Sequence, residues 1–269
     1  MTRVASLGMY DFPGTAPALD RLWRHIAGTL RRAGIPDVPD SLTRDRPLGV
    51  IWRDPRLLLG ETCGYPLRTA LRDIVRVVAT PVRTTPGTDG AWHRSFIVVA
   101  VGTAFASLAD LHGSRLALNG EDSNSGMNLL RRTLAPIAGG KPFFKSVTVT
   151  GAHAVSLAAV ATGTADVAAI DCVSFWFLAR KSPDLAGRVR VLAETAQSPG
   201  LPLITRQSAD DAEMPILRDA LQAAAVDPDM ADVLARLGIR GFTVLPDDAY
   251  DVVTRYEAEA IELGYPRLE

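Results

Sequence analysis

The sequence predicts an α/β fold of two lobes, each a mixed, mostly parallel sheet flanked by helices, with two hinge crossings between them. Three observations predict it. Strand-like and helix-like stretches alternate with short connections through the middle of the chain, the pattern of βαβ units. Two extended crossings, near 98–105 and 195–206, bracket that block. The residues after 206 are largely helical and follow no further strand pairs, so they are expected to pack back on the first lobe. The expected division is a discontinuous first lobe, 1–102 with 197–269, and an inserted second lobe, 103–196.

Each element follows from its pattern. A first strand over 3–8 ends in the loop MYDFPG. A helix over 16–33 carries Leu19, Leu22, Trp23, Ile26 and Leu30 at spacings of three and four; Gly34 and Pro36 stop it. A strand is expected over 49–52, then a short helix on PRLLLG, with Pro55 near its first position. The β-rich runs 74–83 and 96–102 flank a Gly/Pro/Thr-rich turn. Strands over 115–119, 146–150, 166–170 and 190–194 then alternate with helices over 125–137, 152–162 and 173–180. An extended run at 202–206 precedes helices over 210–225, 228–237 and 249–263. The second of these opens with Asp227 as cap and Pro228 in the first turn.

Composition narrows the function. The 269 residues are 47% hydrophobic and 22% charged, ordinary for a globular domain. Lys and Arg number 29 against 30 Asp and Glu, a net charge of −1, which argues against a nucleic-acid binder. No stretch approaches the roughly 20 apolar residues of a membrane span, so no membrane insertion is expected. The N-terminal stretch meets Asp11 and Pro13 before any apolar run, so no secretory signal is read there. Cys63 and Cys172 lie too far apart for a metal knuckle and are expected as buried thiols. His25, His93, His112 and His153 lack metal-ligand spacing, and no GxSxG, HExxH or nucleotide-binding glycine motif is present. Neither metal, cofactor nor catalytic constellation is expected.

The sharpest local signal is NGEDSNSGMN, 119–128, between a strand and a helix. Ser123 or Ser125 can cap that helix, Gly126 admits close backbone approach, and first-turn N–H groups make an anion site. An ordinary Ser cap explains the same residues. The segment TGAH repeats the arrangement one unit later and puts His153 in a first helical turn. Asp171 ends a third strand, either facing a ligand or capping the next helix. Tyr10, Tyr65 and Trp92 sit at element ends, where an aromatic can close over a ligand or simply pack. Clefts between α/β lobes, at the carboxyl ends of strands, are where small ligands bind.

Ser123, Asn124, Ser125 and Gly126, following the strand SRLALN, are similar to the Ser-Thr-Ser-Gly loop of the phosphate/phosphite/phosphonate-binding proteins of ABC importers. SLADLHGSRLALNGEDSNSG, which contains that loop, and FFKSVTVTGAHAVSLAAVATGTADVAAIDCVSF resemble two segments of that family, and HRSFIVV is similar to the stretch entering its hinge. The likeness covers about 92–195 well. It implies a type II-like periplasmic-binding-protein fold and a solute-binding component that takes a small phosphorus oxyanion in the inter-lobe cleft. Ser123, Asn124, Ser125 and His153 would hold the oxyanion; Asp171 and one of Tyr65, Tyr10 or Trp92 would meet the rest of the ligand. A partner ABC permease and periplasmic residence follow from the same likeness, and a monomer is expected. Asn124 departs from it, offering an amide where a Thr is usual. Two other readings use the same fold: a cytoplasmic small-anion sensor, and an enzyme drawing on His153, Cys172 or Cys63.

Overall fold

The computed structural model describes residues 2–246 and 248–269; Met1 and Asp247, both within the predicted first lobe, lie outside them. The chain begins β1 (Val4–Ser6), α1 (Ala16–Arg32), α2 (Leu48–Ile51), β2 (Leu57–Glu61), α3 (Gly64–Arg68) and β3 (Val75–Arg83). There follow β4 (Trp92–His93), β5 (Ser95–Ala100), β6 (Arg115–Leu118), α4 (Leu129–Ala138), β7 (Ser146–Val149) and α5 (His153–Ala161). Then come β8 (Val167–Asp171), α6 (Cys172–Lys181), α7 (Pro183–Ala186), β9 (Val189–Glu194) and β10 (Ser198–Pro199). The last elements are β11 (Leu203–Arg206), α8 (Glu213–Val226), α9 (Ala231–Arg236), β12 (Ile239–Thr243) and α10 (Asp251–Glu262).

The first unit comprises 1–84 and 199–247. Its sheet runs β1-β2-β11-β3-β12, with β1 and β2 parallel and β11 and β12 antiparallel to their neighbours. The apolar stripe of α1 (Leu19, Leu22, Trp23, Ile26, Leu30) is buried with Leu217 and Leu221 of α8 and with Leu58, Leu59 and Val78 of the sheet. Two local expectations reverse here. Residues 49–51 fall on the short helix α2, and the LLLG of the helix expected on PRLLLG lies in the strand β2. All five residues of β2 are buried. A strand covered on both faces shows no alternation, so its leucines read as helix formers. β12 was not expected either: it lies between the helices expected over 228–237 and 249–263.

The second unit comprises 85–198 and 248–269. Its sheet runs β7-β6-β8-β5-β9. β6 is parallel to β7 and β8, as the βα alternation demands. β5 lies antiparallel to β8 and β9, pairing Ser95 with Asp171 and Val99 with Val167. Parallel pairing is thus less dominant than the sequence suggested.

The boundaries also differ from 1–102 with 197–269 against 103–196. Residues 85–102 belong to the second unit because β5, buried from Ser95 to Val99, is inserted between β8 and β9. Residues 248–269 belong there because α10 packs on α4. It buries Val252, Val253 and Ala260, while Asn128 Nδ2 donates to the Val253 carbonyl at 2.9 Å and Arg131 Nη1 to that of Pro266 at 2.7 Å.

Candidate functional site

The first part of the site is the junction between β6 and α4. Ser123 caps the turn: its Oγ accepts from the Gly126 N–H at 2.9 Å. The turn that follows is wide, with Asn128 N donating to Ser123 O at 3.0 Å and Leu129 N to Asn124 O. Such five-residue spacing is rare and recurs at functional sites. Gly126 is required by close approach, since a Cβ there would stand 1.7 Å from Asn119 Oδ1. The Asn119 side chain therefore lies directly against the turn.

The second part is the junction between β7 and α5. The Thr150 N–H donates to Leu118 O at 2.7 Å, which keeps this loop beside the end of β6. Thr150 Oγ1 also meets Ser156 Oγ at 2.6 Å. Gly151 takes a φ of +86°, which a side chain would strain. α5 starts with no side-chain cap, and His153 is its first residue. Its Nε2 lies 2.9 Å from Ser125 Oγ and 3.4 Å from Asn119 Nδ2, and Ser123 Oγ lies 3.4 Å from Ser125 Oγ. Four polar side chains from two strand-to-helix junctions thus meet.

Burial drives the His153 ring down to about 4; the Asp171 charge pulls the other way, and His93 pushes it further down. Asp171, at the end of β8, caps α6 by accepting from Val173 N at 2.8 Å. The same oxygen is 3.8 Å from His93 Nδ1, both side chains being 3% exposed. Three buried atoms in these residues, Asn119 Oδ1, His93 Nε2 and His153 Nδ1, have no partner in hydrogen-bond geometry. Each such group costs about 1–3 kcal/mol, a cost usually found where a site has work to do.

Asn124 has partners within the protein. Its Nδ2 donates to Ser198 Oγ at 2.8 Å and its Oδ1 accepts from Asn128 Nδ2 at 3.1 Å. Arg131 continues the chain, donating to Asn128 Oδ1 at 2.8 Å and to Glu257 Oε1 at 3.1 Å. Asn124 therefore ties the loop to Ser198 and, through Asn128, to α10. Trp92 is in the same unit and partly exposed. Tyr65 and Tyr10 belong to the first unit. Tyr10 is buried, with the Arg83 guanidinium 4.4 Å from its ring centroid.

Sequence reasoning missed Asn119, His93 and Ser95. Ser95 Oγ donates to Ser125 O at 2.9 Å and so braces the loop. The signal was available in WHRS: with period two, His93 and Ser95 share one face, and both are buried while Trp92 and Arg94 are partly exposed. The first unit has its own open hollow of about 400 Å³, lined in part by Arg44 and Arg46. Asp11 and Asp20 neutralise Arg44, and Asp54 pairs with Arg46. Cys63 and Cys172 are buried thiols, not joined in a disulfide. Among the described residues no group of three His, Cys, Asp or Glu could hold a metal, and no helix is long and apolar enough to cross a membrane.

The family model for phosphonate ABC transporter periplasmic substrate-binding proteins matches residues 59–250. The chain belongs to this family. It is a family of transporter substrate-binding proteins, not of enzymes, and its members are periplasmic. Several solved structures share the fold of this substrate-binding protein. A binding-protein component of an ABC phosphonate transporter from Pseudomonas aeruginosa is 19% identical, with a TM-score of 0.74 over 98% of this chain and 88% of that one. A Xanthomonas citri protein solved with chloride is 20% identical, with a TM-score of 0.72 over 97% and 98%. A Prochlorococcus marinus protein in complex with methylphosphonate is 14% identical, with a TM-score of 0.71 over 97% and 98%. No curated protein matches the sequence.

Proposed function

We propose that this substrate-binding protein captures a small phosphorus oxyanion (a phosphonate, phosphite or phosphate) for an ABC permease, without turning it over. Ser123, Ser125, the Gly126 turn and His153 supply the anion site, and Asn124 and Ser95 hold the loop in place. The observation that carries this reading is the 2.9 Å approach of His153 Nε2 to Ser125 Oγ, which unites two helix starts at one point. First-turn N–H groups with hydroxyl donors beside them suit an anion. Asp171 acts through His93 and His153, and Trp92 is the aromatic of this unit placed to meet a ligand substituent. The family's periplasmic habit supports the same compartment for this chain. The test is a thermal-shift and calorimetric screen with methylphosphonate, 2-aminoethylphosphonate, phosphite, phosphate and sulfate. A ligand at 100 times its Kd should stabilise the fold by about 2.7 kcal/mol. No shift with any phosphorus oxyanion would refute the reading.

A further inference from the structure

The second unit gathers exposed cations at the end of its sheet away from the anion loop. Val147, Leu116, Val167, Val99 and Arg190 stand in one row across β7-β6-β8-β5-β9. Lys145 immediately precedes β7 and Arg188 immediately precedes β9, so the two mark the edges of that end, about 19 Å apart at the usual strand spacing. Lys141 lies four residues before Lys145, and Arg180 and Lys181 close α6. All five are exposed, and they include every lysine of the chain. The acids of this end offset only part of that charge. Asp110 accepts the N–H groups of Ala106 and Ser107, and Asp166 pairs with Arg115 at 2.7 Å while feeling the Lys145 charge. Asp184 of α7 is exposed, as are Glu262, Arg267 and Glu269 of the C-terminal stretch. The macrodipole of α6 accounts for Arg180 and Lys181 in its last turn, but Lys145 and Arg188 lie outside any helix.

An apolar loop runs between the two edges. The chain leaving β5 crosses the start of β8 to reach β6, and this crossing is VGTAFASLAD, 101–110. Val101 is 58% exposed, and its N–H donates to Arg188 O at 2.8 Å. Arg190 Nη2 donates to the carbonyls of Thr103 and Phe105, holding the loop with Ala104 exposed and Phe105 partly so. Exposed apolar side chains framed by cations match a bilayer interface, where apolar groups enter the acyl boundary and cations meet anionic headgroups. An acidic protein segment would satisfy the cations alone. We propose that this end of the second unit docks on an anionic phospholipid surface, with Val101 and Phe105 at the acyl boundary and Lys145, Lys181 and Arg188 on the headgroups. This goes beyond oxyanion capture and does not depend on it.

Co-sedimentation of the full chain with vesicles tests the proposal, using phosphatidylcholine alone and an equal mixture with phosphatidylglycerol. The net charge of −1 draws the chain as a whole to neither. In low salt the protein should pellet with the mixed vesicles at least about tenfold better than with the neutral ones, and about 1 M salt should release it. Each cation at the surface is worth about fivefold, so Lys145→Gln with Lys181→Gln and Arg188→Gln should weaken binding roughly 100-fold. Val101→Ser should weaken it about tenfold. Arg24→Gln with Arg72→Gln and Arg240→Gln changes the net charge equally through exposed cations of the first unit, and should pellet like wild type. If the patch triple does not fold, Val101→Ser and the control triple decide. No pelleting with the mixed vesicles in low salt, equal pelleting with both kinds, or equal loss in the two triples would overturn the proposal. Binding of soluble polyglutamate without binding of vesicles would make the patch a protein-docking surface and overturn it as well.

Discussion

The junction between β6 and α4 and the junction between β8 and α6 look alike in outline. Each ends a strand, begins a helix and buries a polar capping residue. They differ in the charge of the cap. At β8 the cap is Asp171, whose carboxylate accepts from Val173 N and so meets the positive end of α6 from within the chain. At β6 the cap is Ser123, whose hydroxyl accepts from Gly126 N and adds no charge. A negative group at a helix N-terminus gains about 0.3–1 kcal/mol, and more when partly buried. A carboxylate cap uses that attraction internally; a hydroxyl cap leaves it for an external anion. The type of cap, more than its position, separates the structural junction from the candidate anion site.

The largest effect should come from erasing that difference. Ser123→Asp keeps a good cap, so the fold should remain within about 1 kcal/mol of wild type. It places a carboxylate where the anion binds; two charges about 4 Å apart repel by about 4 kcal/mol at an effective dielectric of about 20, so oxyanion affinity should fall roughly 1000-fold by calorimetry. Next is Ser125→Ala, which removes one hydroxyl and should weaken binding by roughly 10–150-fold while thermal unfolding changes little. Unchanged affinity would move the site elsewhere. Gly126→Ala should cost about 1–3 kcal/mol of stability in a chemical denaturation curve, because its Cβ would force Asn119 aside; binding should weaken with it.

A separate effect is on stability against pH. His153 sits at about 4 in the folded chain against an ordinary 6.5, so between these values the unfolded chain binds a proton that the native chain does not. Stability should therefore fall as the pH drops from about 6.5 to about 4, by at most about 3 kcal/mol. His153→Gln should flatten that window in a series of melting curves. Asp54 marks a separate, lower window. Burial pushes its carboxyl up, but hydrogen bonds from Arg56 and Arg46 outweigh this and hold it at about 2, so its contribution is lost only as the pH falls below about 3.8. A melting temperature that is flat from neutral pH to about 4 would contradict the state assigned to His153.

Much of this site was legible before any coordinates. Ser123, Ser125, Gly126 and His153 each lie beside a glycine or cap signal at a strand end, and such signals are local. Asn119 and Ser95 were not legible as contributors. Their role depends on the loop folding back onto β6 and on β5 entering the sheet, which are long-range events. The Asn124 amide was legible as a group that can donate; its bonds to Ser198 and Asn128 depend on distant parts of the chain and were not.

The sequence by itself determined the α/β class, the α1 stripe, the βα alternation through 115–194 and the position of the anion loop. Periodicity, caps and glycines act over a few residues, and those elements depend on little else. The tertiary structure decided the assignment of β2, the existence of β12, the antiparallel entry of β5 and the transfer of 248–269 to the second unit. Each depends on what a segment is buried against. LLLGE becomes a strand because neighbours cover both its faces, and α10 joins α4 because Asn128 and Arg131 find its carbonyls and Glu257 far along the chain. No local spacing records such partners, so only the folded chain can name them.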